Sequence, residues 1–96
     1  PTAVCACNDM VAIGAMEAAK QGGMAVPDRV SFVGFDDTEQ CAQCVPRLST
    51  VNVGSPLIAR LAVEQLFSMM AGGNPGPVRT IVPTRLVLRD SIRNLQ

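Results

Sequence analysis

Between Thr2 and Cys7 the chain is almost continuously apolar, with no alternation of polar positions, the pattern of a parallel strand covered on both faces. The period then lengthens. Asn8 and Asp9 are good helix-capping residues, and Met10 to Gln21 carries Ala12, Ile13, Ala15, Met16 and Ala19 at helical spacing, closed by Gly22-Gly23 as a left-handed cap. Only Glu17, Lys20 and Gln21 are strongly polar in that helix, so more than one of its faces should be covered. After a turn at Pro27-Asp28, Val30 to Phe35 reads as a second buried strand, ending in the acidic pair Asp36-Asp37. The three segments make one β-α-β unit. A right-handed crossover puts both strand ends on the same sheet edge, where such folds bind ligands, and makes neighbours of Asn8 and Asp36.

Thr38 to Leu48 reads as a loop or short helix, and the β-branched stretch Ser49 to Val53 as extended. Ser55-Pro56 signals a helix start, with Ser as cap and Pro in the first position. That helix runs to about Ala71, with Leu57, Ile58, Leu61, Ala62, Val63, Leu66, Phe67 and Met70 against Arg60, Glu64 and Gln65. Gly72 to Pro77 is a turn and not a phosphate cradle, because it closes a helix where a phosphate loop would open one. Val78 to Leu88 is expected as one or two strands broken at Pro83, and Arg89 to Gln96 as a polar tail. There is no internal repeat. Two core strands and two broad apolar helix surfaces do not close into an independent core. The expectation is therefore part of a larger α/β domain, a chain continuing from an upstream segment.

Composition narrows the function classes. At 48% hydrophobic and 17% charged the chain is globular. Eight basic and eight acidic residues cancel, and no Lys/Arg run builds a nucleic-acid surface. No apolar stretch approaches the roughly 20 residues of a membrane span. The four cysteines, Cys5, Cys7, Cys41 and Cys44, form two close pairs. Two such pairs can make a four-thiolate zinc site, but neither sits in the tight turns of a zinc ribbon, so four reduced, buried or half-buried thiols is the preferred reading. In an extended strand the Cα atoms of Cys5 and Cys7 lie about 6.6 Å apart, the long limit for a disulfide. Free thiols point to the cytosol.

Cys7-Asn8-Asp9-Met10-Val11-Ala12-Ile13-Gly14-Ala15 closely resembles the Cys-Asn-Asp-x-x-Ala-x-Gly-Ala stretch in the effector-binding domain of lactose-repressor-type (LacI/GalR) transcription regulators. Val26-Pro27-Asp28-Arg29-Val30-Ser31-Phe32-Val33-Gly34-Phe35-Asp36-Asp37 resembles a second signature of that family. Pro46 to Val51 looks like its crossover, and Pro83 to Ser91 like its closing strand. The resemblance covers nearly the whole chain. It implies a doubly wound, periplasmic-binding-protein-like (type I) fold of two α/β subdomains hinged about a ligand cleft. Residues 1–48 and 80–96 would then belong mainly to the C-terminal subdomain, and residues 49–79 to the hinge crossover and a helix packed on the N-terminal subdomain. A helix-turn-helix headpiece for operator DNA lies outside this segment in that family. Ser49 replaces a residue that is often Thr there, and the loop holding Cys41 and Cys44 varies among members.

For function, the resemblance implies the ligand-sensing and dimerisation part of a cytoplasmic regulator whose effector is a small sugar-like or nucleoside-like molecule. Asp36 is read as a ligand contact, and Asn8 as either a ligand contact or a helix cap, since a carboxylate and an amide together serve hydroxyl groups. Phe35 is either core or a ring that stacks on ligand. Asp9 and Asp37 are read as structural, one starting a helix and the other accepting loop hydrogen bonds. Met10, Ile13, Met16 and Glu17, with Cys41 and Cys44 in the neighbouring loop, resemble the family's homodimer surface; ordinary core packing is the other reading. No cofactor, bound metal or catalytic residue is expected. There is no His to activate a Ser or Cys, and Asp36-Asp37 are sequence neighbours, not a facing pair. A periplasmic sugar-binding protein of a transporter and a zinc-stabilised structural module are the competing classes.

Overall fold

The computed structural model describes residues 1–73 and 76–96; within the expected Gly-Pro turn, Asn74 and Pro75 lie outside the described residues. Strand β1 (Ala3–Cys5) leads into helix α1 (Asp9–Gln21) and strand β2 (Ser31–Val33). A short helix α2 (Gln40–Gln43) follows, then β3 (Thr50–Asn52), the long helix α3 (Ser55–Met70) and β4 (Arg85–Val87).

The β-α-β unit forms as its pattern predicts. Asn8 is extended (φ −155°), and its side-chain oxygen accepts the Val11 N–H at 2.9 Å, satisfying one of the amides a helix start leaves unpaired. Ala12, Met16 and Ala19 fall on one face and are buried. At the far end Gly23 takes the left-handed conformation (φ 79°), and the Met24 N–H reaches the Ala19 carbonyl. Strands β1 and β2 pair in parallel, with Val4 opposite Phe32. The core lies where α1 covers β2, built from Ala12, Met16, Ala19, Val30, Phe32, Cys41 and Leu48.

Strand β2 is central. One edge carries β1; the other takes two later segments. Gly34 N–H donates to the Ser49 carbonyl at 2.9 Å and Phe32 N–H to the Ser91 carbonyl at 2.8 Å. Buried serines complete this edge. Ser91 Oγ donates to the Phe32 carbonyl and accepts from Ser49 N–H, while Ser49 Oγ accepts from Arg89 N–H. Ser49, Thr50 and Ser91 are fully buried, and each of their hydroxyls has a partner, as burial away from water requires.

The fold departs from the sequence-based expectation in four places. Strand β1 is not covered on both faces: Ala3 and Cys5 are exposed. The N-cap of α3 is Gly54, not Ser55. Gly54 is left-handed (φ 70°) and its N–H is held by Asn52 Oδ1 at 2.9 Å, so the turn is made by the one residue type free to adopt it, and Pro56 keeps its place in the first turn. Of Val78 to Leu88 only β4 is a strand, paired antiparallel with β3 (Val51 opposite Leu86); Pro83 lacks an N–H to extend the ladder. The expected polar tail begins with ordered chain, because Arg89 and Ser91 are bonded into the β2 edge and Arg47 forms an ion pair with Asp90 at 2.6 Å.

Helix α3 has no buried residue, and Leu66, Phe67 and Met70 are 54%, 63% and 71% exposed. The molecule is accordingly drawn out, with a radius of gyration of 17.9 Å, against about 12–13 Å for a compact chain of this length.

Gly34 is where helix and sheet approach most closely. A Cβ there would lie 2.9 Å from Leu48 Cδ2 and collide with the Asp9 carboxylate. Gly34→Ala is expected to destabilise the fold by about 1–3 kcal/mol through overpacking, measured as a lowered urea midpoint with unchanged m-value in the full-length protein.

Candidate functional site

The C-terminal ends of β1 and β2 lie side by side. Ala6 N–H donates to the Val33 carbonyl, and Asp9 N–H to the Phe35 carbonyl at 3.0 Å. Asn8 and Asp36 flank this last bond, so the topology brings together the two residues expected there. The Asn8 oxygen is committed to capping α1. Asp36 is exposed and its backbone N–H is tied to the Val51 carbonyl at 3.0 Å. Phe35 is 41% exposed and stands outside the core; the buried aromatic is Phe32, which lies within β2, whereas Phe35 lies in the bend beyond its end. Core is therefore the wrong reading for Phe35.

Under this edge sits a buried carboxylate. Asp9 is fully buried and accepts from Thr38 N–H at 2.8 Å and from the Thr50 hydroxyl. Burial pushes its carboxyl up. Hydrogen bonds from the Thr38 amide, the Thr50 hydroxyl, the Cys41 thiol and the Thr38 hydroxyl outweigh that, and the net shift is below the ordinary 3.8. Asp37 is anchored likewise, accepting from Asn52 Nδ2 at 2.8 Å and from the Arg89 guanidinium at 2.7 Å. Those two hydrogen bonds hold its carboxyl below the usual range. Both acids are structural, as expected, but the sequence reading missed their partners Thr50, Asn52 and Arg89. The available signal is Arg89 itself, a charge that closes an apolar strand and is not the first residue of a polar tail.

The expected dimer residues divide. On α1, Met10 is 62% exposed and Ile13 and Glu17 are half-buried, with Glu17 paired to Lys20 at 2.8 Å. Cys44 is half-buried, its thiol directed at the Pro46 carbonyl. Met16 and Cys41 are fully buried and present nothing to a partner: Met16 faces β2 from the inner side of α1, and Cys41 packs in the core beside Asp9 and Thr38. Burial, with Asp9 adjacent, raises the Cys41 thiol to about 11, so it stays protonated at neutral pH. Among the described residues no three metal-ligating side chains converge, and Cys5 and Cys7 are exposed free thiols on the β1 side.

A parallel β-α-β edge carrying exposed polar side chains over a buried hydrogen-bonded base defines an α/β ligand-binding fold. The chain belongs to the periplasmic binding protein-like domain family, which it matches over residues 1–92. It is 35% identical to the ribose operon repressor of Haemophilus influenzae over 96 residues, 100% of this chain and 29% of that protein. Its fold superposes on a complex of the transcriptional regulator CelR with cellobiose at a TM-score of 0.89 and 30% identity, covering 94% of this chain and 28% of that one. The lac repressor dimer bound to operator and the anti-inducer ONPF matches at a TM-score of 0.86 and 33% identity, covering 96% and 32%. Its relatives are thus transcription regulators of LacI type, and the chain spans under a third of each of these three.

Because its folded pKa is depressed, the Asp9 carboxylate contributes stability above its unfolded pKa that is lost as pH falls through the lower folded value. Asp9→Asn, which cannot take up that proton, is expected to unfold more easily at neutral pH. It should also show a shallower decline of stability below about pH 4, read from urea midpoints along a pH series.

Proposed function

We infer that this segment is the ligand-sensing and dimerising part of a cytoplasmic LacI-type transcription regulator, with a sugar-like or nucleoside-like effector bound at the β1–β2 edge. The observation that carries the reading is the exposed Asp36 carboxylate beside Asn8 and the exposed Phe35 ring, set on a buried polar base. A carboxylate accepts from ligand hydroxyls, an amide donates to them, and a ring face stacks on a sugar or base. Residues 1–48 and 80–96 belong mainly to the C-terminal subdomain. The crossover and α3, within residues 49–79, meet the N-terminal subdomain of the full-length protein, which accounts for the unburied apolar side chains of α3. Met10, Ile13, Glu17 and Cys44 lie toward the second subunit of a homodimer. Operator DNA is bound by a headpiece outside this segment, whose own charge sums to zero.

The segment acts by binding and not by catalysis. No helix among the described residues is long and apolar enough to cross a membrane. Effector binding shifts the balance between two arrangements of the subdomains, and with it the spacing of the headpieces.

The full-length protein, melted against D-ribose, cellobiose, other sugars, sugar phosphates and nucleosides, tests this. A true effector at about 100 times its Kd should add ~2.7 kcal/mol of stability, and Asp36→Ala should lose that gain. A shift that survives Asp36→Ala moves the site to upstream residues. No shift anywhere, with stoichiometric zinc by metal analysis, replaces the sensor by a zinc-stabilised module.

A further inference from the structure

Asp36 and Asp37 both have positive φ, 113° and 58°, a region disfavoured for any residue with a Cβ. The surroundings must hold such a turn. Its three successive amides are all bound: Asp36 N–H to the Val51 carbonyl at 3.0 Å, Asp37 N–H to Thr50 Oγ1 at 3.4 Å and Thr38 N–H to Asp9 Oδ2 at 2.8 Å. The Asp37 carboxylate supplies the second set of ties. One oxygen takes the Arg89 guanidinium and the other takes the Asn52 amide.

Neither partner is a loose surface group. The Arg89 and Asp37 side chains are only 18% and 13% exposed, against 59% and 51% for the solvated pair Arg47–Asp90, so screening by water is weak. The other arm of Arg89 donates to the Leu48 carbonyl at 2.9 Å. Asn52 is likewise used at both ends: Nδ2 donates to Asp37 while Oδ1 accepts the N–H of Gly54, the residue before α3.

We propose that Arg89 and Asn52 are positioning residues for the ligand site: they hold Asp37 in its left-handed conformation, thereby aim the Asp36 carboxylate, and through Asn52 tie that turn to the start of α3. The proposal rests on the reading of Asp36 as a ligand contact. Its consequence is mechanical. A ligand that draws Asp36 aside also pulls on the junction of β3 and α3, and a movement of α3 re-aims Asp36.

Two substitutions separate aiming from simple support. Asn52→Asp keeps the acceptor for Gly54 N–H but faces Asp37 with a second carboxylate and no donor. Arg89→Lys keeps the charge, yet its ammonium is not the planar fork that reaches both Leu48 and Asp37. In ligand-free full-length protein, amide exchange at residues 36–38 should accelerate about ten- to hundredfold in both variants near neutral pH. The amide of Phe32, bonded to Ser91, serves as the reference and should change far less. Lowering the pH to about 5 lets one proton bridge the two carboxyls of Asn52→Asp, so its excess exchange over wild type should shrink, while that of Arg89→Lys should not.

Unchanged exchange at residues 36–38 overturns the proposal, and so does a uniform acceleration that includes Phe32 and ignores pH. A calorimetric arm with D-ribose and cellobiose asks whether affinity follows the same pH reversal. If either sugar binds and Asp36→Ala leaves that binding intact, or if neither sugar binds, the ligand-site reading fails for these sugars, while the exchange result still decides whether Arg89 and Asn52 hold the turn. If Asp36→Ala abolishes binding but both variants bind as wild type, the positioning role fails alone.

Discussion

A carboxylate with no exposed surface, Asp9, organises the C-terminal edge of this fold. Burying an ion costs several kcal/mol unless its oxygens are matched by donors, so its position dictates what surrounds it. Thr38 must bring its amide from the loop after β2, Thr50 its hydroxyl from β3, and the helix start must approach β2 closely enough that only glycine fits at residue 34. Three chain segments are thereby set relative to one another by a single charge. The exposed Asp36 is the part of that arrangement that reaches solvent.

The unit from β1 to β2 was legible in the sequence because its signals are local. Asn8 before a helical period, two glycines after it and a continuous apolar run on each side specify cap, helix and parallel strands without long-range information. Asn8 and Asp36 converge for the same reason, since parallel strands joined by a helix end on one edge. What stayed illegible depends on pairing across the chain. Whether Arg89 is a surface charge or the partner of Asp37, 52 residues away, cannot be seen in its neighbourhood, and Ser91 looks like tail until it is found bonded to Phe32. The helical period marks Met16 as apolar without saying which side of α1 faces β2, and so does not decide between the dimer surface that the resemblance implies and the core in which Met16 lies.

Helix α3 shows the converse case, an apolar stripe that the sequence predicts and that the described residues leave uncovered. Its apolar stripe is strong, yet no residue in it is buried, and the Gly54 cap and Asn52 fix its direction without giving it a surface to pack on. Amphipathic helices draw most of their stability from tertiary packing. The helix is therefore held here chiefly by its own backbone bonds and its first turn, whereas the β1–α1–β2 unit shares a core with Cys41 and Leu48.

The serine-filled edge of β2 also orders events in time. Ser91 pairs with Phe32 across 59 residues, and Arg89 and Ser91 serve Ser49 across 40 and 42. On the ribosome β1, α1, β2 and all of α3 are therefore synthesised before Arg89 and Ser91, which finish the β2 edge, exist. Through that interval the nascent chain holds a strand edge with unpaired N–H and carbonyl groups, a template for pairing with other chains. The segment that follows β4 thus acts as the seal on the β2 edge, and contacts of such separation form late and slowly.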